Sequence, residues 1–297
     1  MNRHTQQHGF SRFSISLFVS LPVCIFVFVF ASAGTAQAQN DHVVVNLSDP
    51  SRPAVVKVST MHGEIAVKGY DGKDIQVDAH SRGDEGEREN RPTENGMKRI
   101  PLGNSTGLVV EEENNQVRIG TEALRHRVDL VISVPRHTSL VLRGMNHGTI
   151  DVSDVEGDLD INTLNGEVML KNISGSVVAH ALNGKITANF LRMDAQKPTA
   201  FSSMNGAIDV TFPPDLKANL SIKSDRGEAY SDFDVVLQTR KPEQLTTEDN
   251  HSDGGRRGKY RLHMDNAVHG SVNGGGPEIQ FKTFNGSIYI RKAGSAK

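Results

Sequence analysis

Apolar side chains recur in a nine-residue pattern between residues 146 and 190, where a glycine stands at every ninth position. One apolar residue lies two positions after each glycine and another lies four positions after it, as Val168 and Leu170 follow Gly166. A spacing of two places both side chains on the same face of a β-strand. The pattern therefore predicts short strands, each with one buried face, joined at turns that contain glycine.

The residue before the glycine is of one kind in every second unit and of another kind in the units between, so the chemical period is eighteen residues. Asn or His precedes every second glycine of the repeat, and the same step returns at Asn205-Gly206 and Asn285-Gly286. Asn, His and Gly all tolerate positive φ, which suits a corner between two strands, and stacked corners allow a ladder of amide hydrogen bonds. We interpret twelve residues as these structural corners: His147, Gly148, Gly157, Asn165, Gly166, Gly175, Asn183, Gly184, Asn205, Gly206, Asn285 and Gly286.

A third apolar position distinguishes between two ways of folding such a repeat. It lies two residues before a glycine and is occupied by Val155, Leu164, Ile173 and Leu182. This position is an odd number of residues from the other two apolar positions, so in a straight strand its side chain would point away from the core. A bend in the chain would return the side chain to the core. This favours a single-domain parallel β-solenoid (β-helix) over an antiparallel β meander or sandwich with Asn-Gly hairpins. The prediction leaves Met169 and Val178 as isolated exposed apolar points, without a contiguous stripe.

The rest of the chain after residue 38 also reads as strands, and the predicted fold class is all-β. VDLVISVP and SLVLRG predict two strands separated by Pro135-Arg136-His137-Thr138, and GLVVEEENNQVRI predicts a hairpin that turns at Asn114–Asn115. Two polar stretches interrupt the pattern near residues 82–106 and 240–259. They are rich in charge, Gly and Pro, which predicts solvated loops.

The first 38 residues predict a secretory signal peptide. Arg3 and Arg12 precede an apolar run over residues 15–30, and Ala36-Gln37-Ala38 offers a cleavage site. The alternative is an uncleaved membrane anchor, for which the run is short. We expect an exported protein of the periplasm, the cell surface or the medium, with a domain over residues 39–297 and no transmembrane span after cleavage. Its single cysteine, Cys24, lies in the leader, so disulfides are not expected.

Charge and motifs exclude several kinds of function. The chain of 297 residues has 33 Lys and Arg against 35 Asp and Glu, which argues against a nucleic-acid partner. Asp158 and Asp160 stand on one outward face about 7 Å apart, a separation used by inverting glycosidases. Two solvated surface acids are the favoured interpretation, because nothing in the sequence predicts the burial that would raise the pKa of either. The repeat lacks the second glycine and the aspartate of calcium-binding nonapeptides. We predict no catalytic, cofactor-binding or metal-binding residues.

The repeat resembles a known family. The order VDLVISVPRHTSLVLRG, NHGTIDV, VEGDLDI, LNGEVML and ISGSVVA is similar to the bacterial adhesin family of β-strand-repeat (β-helical) domains of unknown function. The resemblance covers most of Val128–Phe212 and the last repeat near Gly286. It implies an exported or envelope-associated, adhesin-like β-helical domain without established catalytic residues.

These observations lead to one leading hypothesis and two alternatives. The leading hypothesis is a non-enzymatic, adhesin-like binding or scaffold module in the bacterial cell envelope, without a cofactor. Its expected partner is an envelope polysaccharide or another envelope protein. The alternatives are a carbohydrate-active β-helix enzyme, either a polysaccharide lyase or a hydrolase, and an envelope-stress sensor that uses the polar loops.

Overall fold

A computed structural model describes residues 40–82, 106–122, 127–146, 148–194, 196–238 and 267–294. All of them belong to one compact unit, Ala38–Lys297. The predicted signal peptide, the corner residue His147 and nearly all of the two predicted polar loops lie outside the described residues.

The described residues form strands and turns and contain no helix, which confirms the all-β prediction. The strands are β1 Asn40–Asn46, β2 Ala54–His62, β3 Ile65–Tyr70, β4 Asp74–Arg82, β5 Leu108–Glu113, β6 Gln116–Thr121, β7 Arg127–Pro135, β8 Thr138–Asn146, β9 Ile150–Ser153, β10 Leu159–Asn165, β11 Val168–Gly175, β12 Val177–Asn183, β13 Ile186–Met193, β14 Thr199–Asn205, β15 Ile208–Phe212, β16 Ala218–Arg226, β17 Ala229–Ser231, β18 Val235–Gln238, β19 Val268–Val272, β20 Glu278–Asn285 and β21 Ile288–Lys292.

These strands form two large mixed sheets. Sheet A has ten strands in the order β1-β4-β7-β3-β9-β11-β13-β15-β21-β17, and sheet B has eleven in the order β18-β19-β16-β20-β14-β12-β10-β8-β2-β6-β5. Antiparallel pairs occur only towards the ends of these orders, for example between β5 and β6. The turn between these two strands is the predicted one, because Asn114 and Asn115 have φ of 54° and 61°, as a tight hairpin turn requires.

Strands of the repeat pair in parallel with strands one period away. Leu159 of β10 is in register with Val177 of β12, and Val168 of β11 is in register with Ile186 of β13. The Asn-Gly steps here do not close antiparallel hairpins. Asn165 ends a strand of sheet B, and Val168 begins the next strand in sheet A.

The inner faces of both sheets contribute to one apolar core. Phe190 and Phe212 of sheet A stack at 5.2 Å between ring centroids, and Phe201 and Phe281 of sheet B stack at 5.6 Å. The two pairs meet edge to face at 6.2 and 6.3 Å, an arrangement that aromatic quadrupoles favour. These contacts between sheets show that sheets A and B pack face to face.

The third apolar position behaves differently in the two sheets. Val155 and Ile173 are fully buried, as predicted, but Leu164 and Leu182 are 44% and 41% exposed, so the prediction is wrong for these two leucines. In sheet A, the register shifts between Leu170 and Ile173 at a bulge, and this reverses the side-chain parity.

Asn172 within the bulge, and Asp154 one period earlier, both have left-handed backbone. Asp154 and Asn172 have φ of 59° and 55°, and the amide of Asn172 donates to the carboxylate of Asp154 at 3.0 Å. Strands β10 and β12 have no such bulge, so alternation continues to their ends and turns Leu164 and Leu182 to solvent.

Candidate functional site

The predicted asparagine corners lie side by side along one edge of the outer face of sheet B. Asn165, Asn183, Asn205 and Asn285 are the last residues of β10, β12, β14 and β20. The amide of Asn183 donates to Asn165 at 2.8 Å, that of Asn205 to Asn183 at 2.7 Å and that of Asn285 to Asn205 at 2.8 Å. We call these four residues the asparagine ladder.

The four glycines that follow the ladder belong to a longer column of seven glycines in which the backbone of each contacts the backbone of the next. A Cβ placed on any of the last six members would lie 1.7–2.2 Å from the carbonyl oxygen of the glycine before it. The glycine column contains, in spatial order, Gly63, Gly148, Gly166, Gly184, Gly206, Gly286 and Gly227. The same close backbone contact occurs outside the column, because a Cβ on Gly175 would lie 2.3 Å from the oxygen of Gly157, and a Cβ on Gly157 would lie 2.4 Å from the oxygen of Thr138.

The column corrects our explanation of the corner glycines. Positive φ is found at Gly175 and Gly286 but not at Gly166, Gly184 or Gly206. At these last three positions, close backbone approach and not left-handed conformation requires glycine.

Beside the asparagine ladder runs a continuous line of outward apolar side chains. Each occupies the position directly before the last residue of its strand, on six neighbouring strands, and is 38–48% exposed. We call this line the apolar stripe: Met61, Met145, Leu164, Leu182, Met204 and Phe284. It ends at Asp225, which holds the equivalent position on β16.

The apolar stripe overturns our expectation that the outer faces carry no contiguous apolar feature. A signal for it exists in the sequence, because a large apolar residue directly precedes Asn-Gly or His-Gly at Met61, Leu164, Leu182, Met204 and Phe284. The expectation failed because it assigned this position to the core in both halves of the period.

A second outward row flanks the apolar stripe on the side away from the ladder. In register, it consists of Ser59, Arg143, Asn162, His180, Ser202, Lys282 and Lys223, and we call it the polar row. It contains three permanent cations and no carboxylate. Arg143 binds Asp160 with two hydrogen bonds of 3.0 and 2.7 Å, whereas Lys282 has no ion pair with any described residue.

The polar row and the apolar stripe enclose a shallow cleft of about 530 Å³. Leu164, Leu182, Met204 and Phe284 line one side of it. The guanidinium of Arg226 lies 5.2 Å from the ring centre of Phe284, so a further cation covers the last side chain of the apolar stripe. One wall of the cleft is thus apolar and the other is polar, with cations gathered near Phe284.

The paired carboxylates named from the sequence are both bound by cations. The hydrogen bonds from Arg143 hold the pKa of Asp160 below its usual value, against the effect of partial burial. Partial burial acts to raise the pKa of Asp158, but hydrogen bonds from Lys197 and Ser176 outweigh it and the pKa is lowered. An inverting glycosidase needs one acid whose pKa is raised, and neither carboxyl has this property.

Sheet A presents a second outward feature near its edge strand. Tyr289 and Tyr230 lie in register on β21 and β17 and stack at 5.2 Å with 9° between their rings. Arg291 approaches the Tyr289 ring at 5.3 Å and is held by Asp209 at 2.7 Å. Tyr230 is half exposed, so this tyrosine pair combines aromatic surface with a fixed ion pair.

In the described part of the chain, no group of three or more His, Cys, Asp or Glu side chains converges on one point. Within the same residues, no helix has the length and apolar character needed to cross a membrane.

Comparisons with known proteins show similarity only at the level of structure. No family model and no curated protein matches the sequence. A Clostridium sporogenes protein named "putative cell adhesion protein" has a TM-score of 0.44 at 11% identity, over 86% of this chain and all of that chain. A Bacteroides fragilis "putative adhesin" has a TM-score of 0.31 at 11% identity, over 86% of this chain and 98% of that chain.

A third similar structure, a Parabacteroides distasonis "putative lipid binding protein", has a TM-score of 0.30 at 11% identity, over 84% of this chain and 96% of that chain. These scores lie below the level at which a likeness supports an argument about function.

Proposed function

We propose that this protein is an exported, non-enzymatic, adhesin-like binding module of the bacterial cell envelope. In this proposal another envelope protein binds to the outer face of sheet B. The observation that carries the proposal is the apolar stripe, six exposed apolar side chains on adjacent strands. A soluble sheet face usually alternates buried apolar with exposed polar residues, and a contiguous exposed apolar patch marks an interaction site.

The proposed scaffold is a parallel β-solenoid in which the chain alternates between sheets A and B. The parallel registers one period apart support it, as do the glycine column and the asparagine ladder. Such a scaffold presents the same repeat position on successive strands about 4.8 Å apart. A regular binding stripe follows directly from this geometry.

The non-enzymatic part of the proposal is supported by the state of the candidate acids. Asp158 and Asp160 are each bound by a basic side chain and have lowered pKa values. Export is supported by the apolar leader and its Ala36-Gln37-Ala38 site. The adhesin-like label is supported by the sequence resemblance over Val128–Phe212.

Photo-crosslinking in intact cells tests the proposed binding face. A photoreactive residue at Leu182 is compared with the same residue at Leu191, a leucine of sheet A that is 61% exposed. We expect Leu182 to give a specific crosslink to an envelope protein, and we expect Met204→Glu to abolish it. Equal crosslinks from both positions, or a crosslink that survives Met204→Glu, would contradict the proposal.

A polysaccharide partner is the second candidate, and the tyrosine pair of sheet A favours it. Exposed aromatic rings beside a fixed Arg–Asp pair provide apolar contact and hydrogen bonds for a sugar. A glycan array that records both binding and product release tests this candidate with the wild type and with Tyr230→Ala. Binding lost in Tyr230→Ala supports a sugar site, whereas release of cleaved product would show an enzyme.

A further inference from the structure

The apolar stripe has the dimensions of a short helix. It crosses six neighbouring strands, and five steps of about 4.8 Å give a length of about 24 Å. A helix rises about 1.5 Å per residue, so about sixteen residues span this length. The stripe is therefore long enough to contact four helical turns.

The spacing along the stripe also suits a helix better than an extended peptide. One face of an amphipathic helix presents an apolar side chain about every 5.4 Å, close to the 4.8 Å step of the stripe. An extended peptide presents side chains on one face about every 6.7 Å, so it loses register within two steps. A ligand that contacts each member of the stripe in turn is thus helical.

The charges beside the stripe indicate the polarity of the ligand. Lys282 lies in the polar row beside Phe284, and Arg226 covers the ring of Phe284. Among the described residues that line the cleft, Asp225 has the one carboxylate. Cations of a groove steer and orient an acidic partner. Acidic side chains at one end of a bound helix would meet Lys282 and Arg226.

A narrow partner explains the surface better than a broad one. The stripe is one side chain wide, and the same sheet carries exposed Glu111 and Glu113 on its edge strand β5. A flat anionic membrane would contact those acids together with the cations. A second copy of the chain would need about 800 Å² of interface on each side, more than a stripe of six half-exposed side chains offers.

The geometry points to an amphipathic helix of the partner protein as the occupant of the cleft, with its apolar face on the stripe and acidic residues at the end near Lys282. This inference rests on the proposed function and specifies the chemistry of the partner. Leu164, Leu182 and Met204 receive the apolar side chains of the helix. Met side chains suit this role because they adapt to different apolar surfaces.

A designed peptide provides the probe. It has eighteen residues, one leucine per turn on a single face, and glutamates on the first two turns; one comparison peptide has lysines instead, and another has the same composition in scrambled order. Fluorescence anisotropy measures binding to the protein as purified from cells. We expect the glutamate peptide alone to bind the wild type, and we expect Leu182→Glu to weaken binding about tenfold or more.

Two further variants separate apolar from charged contributions. Lys282→Glu should weaken the glutamate peptide about tenfold and strengthen the lysine peptide, because the local charge is reversed. Leu191→Glu changes an exposed leucine of sheet A and should leave both affinities unchanged. Circular dichroism and thermal unfolding show whether each variant retains the fold.

Several outcomes would overturn the inference. These are absence of binding by the glutamate peptide, equal binding of the lysine peptide, and binding that is insensitive to Leu182→Glu. Stripe-dependent binding to vesicles of phosphatidylglycerol without peptide binding, or stripe-dependent self-association in light scattering, would assign the stripe to a membrane or to a second copy. If the crosslink at Leu182 persists while the peptide fails, the proposed function stands and only the helical partner is rejected.

Discussion

At the scale of single residues, the absence of a side chain is the strongest constraint in this protein. A Cβ on Gly184 would lie 2.0 Å from the carbonyl oxygen of Gly166, and the oxygen of Gly184 faces Gly206 in the same way. No rotamer relieves a clash between a Cβ and backbone. Glycine is therefore required at each step of the glycine column, even where φ is ordinary.

Gly184→Ala tests this constraint. The added methyl group must separate two backbone segments, and we expect a loss of about 2–4 kcal/mol in the free energy of unfolding, measured by urea denaturation. Gly120→Ala is the matched control, since the nearest atom to its Cβ would be 3.9 Å away. Similar unfolding curves for the two variants would refute the role of the column.

Tyr70 gives a pH-dependent prediction at the same scale. Partial burial, and then the hydrogen bond to Asp74, raise the pKa of Tyr70 to about 12. Because the folded pKa exceeds the unfolded value of about 10, the stabilisation is complete below pH 10 and disappears as the pH rises through about 12. The free energy of unfolding of the wild type should therefore fall relative to that of Tyr70→Phe as the pH rises from about 10 through about 12.

Absorbance at 295 nm checks the assignment directly, because the chain has four tyrosines and no tryptophan. We expect one tyrosinate to form last in the wild type and to be missing from the titration of Tyr70→Phe. A last transition that remains in Tyr70→Phe would belong to another tyrosine and would contradict the prediction.

At the scale of elements, the two halves of the period use the same sequence position for opposite purposes. A bulge in sheet A buries Ile173, and the straight strands of sheet B expose Leu182. Burial stabilises a leucine or isoleucine side chain by about 1.5–3 kcal/mol, so Ile173 contributes to stability in a way that Leu182 does not. This division makes Leu182 available to a partner.

Aspartate at these two positions should give opposite results. Ile173→Asp buries a charge without a partner and should unfold the protein, as should Val168→Asp, since Val168 is also fully buried. Leu182→Asp should change the free energy of unfolding by less than about 1 kcal/mol. Thermal unfolding by circular dichroism measures all three, and an unfolded Leu182→Asp would place the stripe in the core.

At the scale of the whole molecule, the proposed solenoid makes each period a separable layer. Stability in such a stack is the sum of contributions from neighbouring layers, and each layer contacts only those beside it. The parallel pairs one period apart, such as Leu159 with Val177, have this local character. The stripe grows or shrinks with the number of layers.

Deletion of residues 167–184 tests this architecture. It removes one complete period, so β13 can pair with β9 and β14 with β10. Gly184 is lost from the glycine column, and Gly206 can then contact Gly166 directly. We expect a cooperatively folded protein whose melting temperature falls by a few degrees. A deletion of nine residues, 176–184, removes half a period and should prevent folding; a folded product from it would contradict the layered arrangement.

The sequence alone was sufficient to predict the strands and the hairpin, because they depend on local pattern. Alternation of apolar residues located the strands around Gly166 and Gly184, and Asn114–Asn115 located a turn that the structure confirms. The positions two and four after each glycine were assigned to the core, where Val168 and Leu170 are buried. A period of two determines which side chains share a face whatever the neighbouring strands are.

Only the tertiary structure decided whether the residue two positions before each glycine is buried or exposed. The candidate site follows from that, because it consists of the exposed ones. The direction of Leu182 depends on the absence of a bulge, and the need for Gly184 depends on the backbone of a strand one period away. The stripe forms because Met61, Leu182 and Phe284, distant in the chain, lie on strands of one sheet. The sequence by itself determines which side chains alternate along each strand. Strand pairing determines which strand faces join into one surface, because it brings together segments that are distant in the chain.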